Sequence, residues 1–277
     1  MNLIQLTDLH LRPAGKLAYG RVDSNAAAVQ ACRSVAKLGD GIDAVICTGD
    51  LADNGLPEEY ETLRSVLAPL GAKPVFLLAG NHDRREAMLA QFPGLRQENG
   101  FIQYTVEDFP VRLVMLDSVV PGATHGTLCP ARLDWLEQTL ATQPERETML
   151  ALHHPPMLSG IAQYDETVLD NRAAFEAIVA AHPNVRRIIC GHNHRLSFGN
   201  VAQAVCVIGP GVAYQFMLTL DATLEEGFTL EPSGFLLHRW TKQGGFTTHG
   251  LYSEPYPGPF KVQMEPEYPG KTPGLNN

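Results

Sequence analysis

The stretch Asn2-Leu3-Ile4-Gln5-Leu6-Thr7-Asp8-Leu9-His10 decides the fold. An apolar, strand-like run over residues 2–7 ends by delivering a carboxylate and an imidazole. The arrangement returns four times. Gly49-Asp50 follows Ala44-Val45-Ile46-Cys47, and Gly80-Asn81-His82-Asp83 follows Pro74-Val75-Phe76-Leu77-Leu78. His153-His154 follows Met149-Leu150-Ala151-Leu152, and Gly191-His192-Asn193-His194 follows the run 185–190. Each cluster falls where a strand ends and a loop begins, the edge at which open α/β sheets bind ligands. Five clusters converging there can supply seven metal ligands, enough for two adjacent cations. Paired cations suit in-line displacement at phosphorus.

Working outward, helical patterns alternate with these strands. Asp23-Ser24-Asn25 caps a helix, and Pro57-Glu58-Glu59-Tyr60 opens another with proline early and acids in its first turn. A short helix is expected after Asp83, a helix over 130–141 carries Leu133, Leu136 and Leu140 at helical spacing, and another is expected over 169–181. The runs 101–106 and 111–116 pattern as a hairpin. The alternation predicts an α/β architecture. After residue 195 short runs near 196–199, 203–208, 228–231, 234–240 and 245–251 predict antiparallel strands. The expected organisation is one domain over 1–252, its last strands completing the fold with a possible dimer contact, and an extended tail over 253–277 holding six prolines and three glycines.

The chain of 277 residues is 44 % hydrophobic and 18 % charged, an ordinary globular composition. Its net charge of −9 argues against stable nucleic-acid binding, which needs a basic stripe to displace counterions. Small phosphate esters stay compatible, because bound cations invert the local field. The five cysteines are odd in number and form no C-x-x-C pair, which suits a reducing compartment. The first strand begins at about residue 2 and leaves no room for a cleavable signal. No apolar run approaches the roughly 20 residues needed to span a bilayer. The expectation is a soluble cytoplasmic protein without membrane association.

Taken singly, each cluster has an ordinary explanation. Asp8 can be a turn or cap residue, Gly49-Asp50 a turn, and His153-His154-Pro155-Pro156 a proline-stiffened loop. The two imidazoles of Gly191-His192-Asn193-His194 lie on one side of an extended segment, which suits metals or a pH-sensitive turn. The co-occurrence, in order, at five successive strand ends carries the argument.

That ordered series, Asp8-x-His10, Gly49-Asp50, Gly80-Asn81-His82-Asp83, His153 and Gly191-His192-x-His194, resembles the signature of the calcineurin-like metallophosphoesterase superfamily over about residues 3–195. Two segments, Tyr19-Gly20-Arg21-Val22-Asp23-Ser24-Asn25 and the run from Asp50 to Tyr60, are similar to its bacterial glycerophosphodiesterase and class III cyclic nucleotide phosphodiesterase branch. The resemblance implies a four-layer α-β-β-α sandwich with a binuclear metal site at the strand ends. It places Asp8, His10 and His194 on one metal and Asn81, His153 and His192 on the other, with Asp50 bridging both. The ions implied are two of Fe, Mn, Zn or Co.

The function implied is a phosphodiesterase acting on small diesters, cyclic nucleotides or glycerophosphodiesters, by in-line attack of a metal-bound hydroxide. His82 would serve the phosphoryl oxygen or the leaving group, Asp83 would orient His82, and His154 would stand behind the ligands. Asn81, His82 and Tyr214 are candidate substrate contacts. Gly209-Pro210-Gly211 is a turn that brings Tyr214 towards the pocket rim, a buried Tyr214 without substrate role being the open alternative. A phosphomonoesterase or nuclease on the same scaffold, or a non-catalytic scaffold, are the competing functions. A homo-oligomer, dimer or higher, is also open.

Overall fold

Nearly continuous burial along the central strands sets the layering. The computed structural model describes residues 1–262. In chain order its elements are β1 (Asn2–Leu6), α1 (Ser24–Ala36), β2 (Ala44–Thr48), α2 (Pro57–Leu67), β3 (Val75–Leu78) and α3 (Arg85–Gln91). Next come β4 (Tyr104–Val106), β5 (Arg112–Met115), α4 (Pro130–Ala141), β6 (Thr148–Ala151), α5 (Ala162–Asp165), α6 (Arg172–Ala181) and β7 (Val185–Cys190). The remainder is β8 (Ser197–Val201), β9 (Ala204–Ile208), β10 (Gln215–Phe216), β11 (Phe228–Thr229), β12 (Gly234–Thr241) and β13 (Gly245–Tyr252).

Two mixed sheets result, ordered β13-β12-β1-β2-β3 and β4-β5-β6-β7-β9-β8. Successive side chains of a strand point to opposite faces, so a strand buried on both faces feeds two cores. Leu113 and Met115 of β5, Met149 and Ala151 of β6 and Ile189 of β7 join the core shared with β1, β2, α1 and α2. Their neighbours Val114, Leu150, Ile188 and Cys190 face the other way, onto Leu136 and Leu140 of α4 and Phe175 and Val179 of α6. Helices therefore cover the outer faces of two sheets that meet face to face, the four-layer sandwich expected from sequence.

The central strands β1-β2-β3 and β5-β6-β7 run parallel within their sheets. All five polar clusters consequently emerge from carboxyl ends of parallel strands. The antiparallel hairpin β4–β5 pairs Tyr104 with Met115, as its sequence pattern predicts. Past residue 195, β8 and β9 extend the second sheet while β12 and β13 extend the first through a β1–β12 pairing.

Some local readings differ. The helix expected over 169–181 begins at Arg172, because the Asn171 amide is spent bridging backwards to the N–H and carbonyl of Leu128. The turn α5 escaped the periodicity. It is too short for a pattern and is closed by Asp165, whose carboxylate accepts from the N–H groups of Ser159 and Gly160. Residues 253–262 form no helix or strand, and the rest of the expected tail, 263–277, lies outside the described residues. Among the described residues no helix is long and apolar enough to cross a membrane.

Candidate metal centre

The five clusters meet. Each element ends abruptly, and five of the seven candidate ligands take left-handed backbone conformations: Asp8 (φ 54), His10 (φ 44), Asp50 (φ 48), His192 (φ 75) and His194 (φ 53). Residues other than glycine rarely adopt this region, and its use clusters at functional sites. Two glycines make room for these turns. A Cβ on Gly80 would collide with the Asp50 carboxylate, and one on Gly191 would collide with the Thr7 hydroxyl beside Asp8.

Hydrogen bonds fix which nitrogen of each ring faces inward. His194 Nδ1 donates to the Tyr214 carbonyl at 2.9 Å, and His10 Nδ1 lies 3.1 Å from Asp53 Oδ1. With Nδ1 the donor in both rings, both Nε2 atoms carry lone pairs, yet they face each other at 3.0 Å. Asp8 Oδ1 lies 3.5 Å from His194 Nε2. Across the site His153 Nδ1 donates to the Thr48 carbonyl at 2.8 Å, which leaves Nε2 facing Asn81 Oδ1 at 3.1 Å. His192 Nδ1 lies 3.0 Å from the same amide oxygen, its Nε2 resting on the Thr167 hydroxyl at 2.8 Å. Between the two groups, Asp50 Oδ2 is 3.7 Å from His10 Nε2 and 3.3 Å from His153 Nε2.

Buried acceptors facing buried acceptors repel unless something positive lies between them. The donor set, two carboxylates, four imidazoles and an amide oxygen, suits first-row transition metals, so these residues fit a pair of cations. The electrostatics agree. Burial pushes Asp8 up to about 6, with His153 and His10 opposing and Asp50 reinforcing the shift. Burial also penalises the Asp50 carboxylate, but His153, His82 and His10 more than offset it and hold Asp50 well below the usual carboxylate range. Burial holds His192 down to about 3 and His194 far below the ordinary histidine range. Groups of Asp8, His10 and His194, and of Asp8, Asp50 and His153, each present ligand atoms within 4.8 Å of one another.

His82 is placed beside this centre. Its Nδ1 donates to the Asp53 carbonyl at 2.7 Å and its N–H donates to Asp50 Oδ1 at 2.9 Å. Burial lowers the affinity of His82 for its proton, but Asp50 and the Asp53 carbonyl reverse this, leaving the imidazole above its ordinary value. From sequence Asp83 is expected to orient His82, but no hydrogen bond joins them. Its carboxylate accepts from the N–H groups of Leu51, Ala52 and Gly80 and from the Tyr60 hydroxyl, tying the Asp50 loop to the Asn81 loop. His154 stands behind His153, its Nδ1 2.8 Å from the Ser118 hydroxyl.

Of the two places left open for Tyr214, the rim and the interior, the structure shows the interior: it lies beneath the candidate ligands. It is 1 % exposed, and its ring centroid is 4.4 Å from that of His194 and 5.2 Å from that of His10. The physical reason is Gly211, which closes the turn with an N–H to the His194 carbonyl and so draws residues 212–214 inward. Tyr19 takes the rim. It lines a cavity of about 210 Å³ over the cluster together with Tyr164, Phe216, Gln163 and Glu226. None of these five was singled out from sequence as a site residue. Only Tyr19 carried a signal there, as the first residue of a quoted motif.

Two mixed sheets with a His/Asp cluster at their strand ends define a metallophosphoesterase. The chain belongs to the calcineurin-like phosphoesterase family, whose model matches residues 1–196. It is 33 % identical over 268 residues to a protein of Arcobacter nitrofigilis described as a "probable glycerophosphodiester phosphodiesterase GpdQ", covering 96 % of this chain and 98 % of that one. It is 31 % identical over 198 residues to the 3',5'-cyclic adenosine monophosphate phosphodiesterase CpdA of Escherichia coli K12, covering 70 % of each. Among solved structures a dimetal phosphatase of Danio rerio shares the fold, with a TM-score of 0.63 at 14 % identity over 92 % of this chain and 99 % of that one.

Proposed function

We propose that this chain is a binuclear metal-dependent phosphodiesterase that cleaves small phosphodiesters by in-line displacement at phosphorus. One observation carries the reading: a single oxygen, Asp50 Oδ2, lies within 3.7 Å of His10 Nε2 on one side and 3.3 Å of His153 Nε2 on the other. Asp8, His10 and His194 would hold one ion, Asn81, His153 and His192 the second, and Asp50 both. When bound, such ions supply a water of lowered pKa and neutralise charge on the phosphoryl oxygens; Mn, Fe, Zn and Co all suit this donor set.

The chain's own residues do the rest. Anchoring His82 Nδ1 on the Asp53 carbonyl leaves Nε2 as the atom facing the cavity. From there a protonated Nε2 donates to a phosphoryl oxygen or to the departing alkoxide. The aromatic wall of Tyr19, Tyr164 and Phe216 gives one ester arm an apolar seat. The family relatives named for diester substrates support the diester over the monoester. The test compares bis(p-nitrophenyl) phosphate with p-nitrophenyl phosphate on Mn²⁺-loaded protein. Preferential turnover of the diester is expected. Preference for the monoester, or no turnover of either with two ions bound, would overturn the reading.

A further inference from the structure

The cavity over the cluster has a wall of held aromatic rings. Tyr19 stacks on Phe228 with ring centroids 5.1 Å apart, Phe216 tilts against His194 at 4.4 Å, and the Tyr164 hydroxyl donates to the Met217 carbonyl at 3.0 Å. Beyond the candidate ligands and His82, one charged side chain lines this cavity, Glu226, and no lysine or arginine does. The backbone around Glu226 is pinned on both sides. Gln163 Nε2 donates to the Leu224 carbonyl at 2.9 Å, and Met217 N donates to the Gly227 carbonyl at 2.8 Å. Glu231, further along the same arm, is taken up by Arg195, which reaches its two oxygens at 2.6 Å and 2.7 Å. Glu226 is exposed and has no such partner among the described residues. A phosphodiester is itself an anion, so an unpaired carboxylate at the mouth repels it unless the ester arm brings a positive charge.

We propose that this cavity selects diesters whose second arm ends in an ammonium group, seated against the rings of Tyr19, Tyr164 and Phe216 with Glu226 as its counter-charge. The inference rests on the diesterase reading above and narrows it to zwitterionic substrates. Cyclic nucleotides lack such an arm and fall outside the preferred class. Two attractions act together. A cation over an aromatic face is drawn by the quadrupole of the ring, and quaternary ammonium groups are held in this way. The carboxylate adds a Coulomb attraction, weak in open water and stronger beside a wall that excludes water. The apolar seat alone would choose differently, because an uncharged arm of equal shape leaves water more readily. Charge and apolar area therefore predict opposite preferences. Glu226 would touch the arm and not the reacting phosphorus, which makes it a specificity-determining residue.

The test pairs two chromogenic diesters on the Mn²⁺-loaded full chain at low ionic strength. One is p-nitrophenyl phosphocholine, the other its analogue in which tert-butyl replaces the trimethylammonium group. Both release p-nitrophenolate, so the leaving-group chemistry is common to the pair. In wild type kcat/KM is expected to favour the choline ester about tenfold, mostly through KM. Glu226→Gln keeps the shape and removes the charge, and the ratio is expected to fall to about two or three, the share of the rings alone. Glu226→Lys is expected to invert the preference. Wild type that turns over the neutral ester as well as or better than the choline ester would overturn the proposal while leaving the diesterase standing. A tenfold preference that survives in Glu226→Gln would also overturn it. No turnover of either ester with two ions bound fails the diesterase reading, and this inference with it.

Discussion

His238 and the histidines at the strand ends look alike by burial and differ in how their nitrogens are satisfied. His238, on β12 between the sheets, is 0 % exposed, as is His153. Its Nε2 meets Gln5 Oε1 at 2.9 Å and its Nδ1 meets the Thr248 hydroxyl at 2.9 Å. Gln5 in turn donates to the Cys190 carbonyl and the Thr48 hydroxyl, so the network closes with each polar atom paired. At the strand ends, His10 and His194 each have one satisfied nitrogen, and the other two nitrogens face each other at 3.0 Å. A buried imidazole with both nitrogens satisfied is structure. One whose free nitrogen points at other acceptors is built for a missing positive charge.

The contrast predicts where substitutions hurt. The largest effect falls on Asp50, the one group between both halves of the centre. Asp50→Ala is expected to abolish diester turnover and to cut bound Mn²⁺ from two to about one or none, measured by elemental analysis after gel filtration. His82→Ala comes next: both ions stay and kcat drops by about 10²–10⁴, the usual scale for an acid–base or charge-stabilising group. Full activity in that variant would remove the role of His82.

The two proposed halves of the centre differ in charge as well, with Asp8 assigned to one and the neutral amide of Asn81 to the other. Asn81→Asp should slow exchange of the second ion, seen as slower loss of activity on dilution into chelator. Unaltered exchange would mean that the amide is not a ligand.

The smallest effect is at His238. Burial, with Arg187 adding to it, holds this imidazole down to about 3, against about 6.5 in the unfolded chain. The fold therefore favours the neutral ring. Its stabilising contribution is complete above about pH 6.5 and is lost as pH falls from there towards 3. The fall in urea midpoint between about pH 7.5 and pH 5 is expected to be shallower in His238→Gln than in wild type. Equal slopes would show that His238 does not titrate against the fold.

What was legible in the sequence follows from the same physics. Asp8, Asp50, Asn81, His153 and His192 announce themselves because each follows directly on an apolar strand, so strand position and chemistry share one short window. The left-handed turns that aim Asp8, His10 and Asp50 inward leave no compositional trace, since aspartate and histidine occur in every kind of loop. Tyr19 reaches the rim by meeting the Tyr214 hydroxyl 195 residues away, and His238 is satisfied by a glutamine 233 residues away. No local pattern encodes either contact. That Tyr214 is buried and Tyr19 stands at the rim turns on the backbone bond of Gly211 to His194, which a turn motif cannot reveal.

The centre itself is tested most directly by anomalous scattering from crystals of Mn²⁺-loaded protein, collected above and below the metal edge. Two peaks are expected, each within bonding distance of Asp50, one among Asp8, His10 and His194 and the other among Asn81, His153 and His192. A single peak, or two peaks that do not share Asp50, would contradict the binuclear centre.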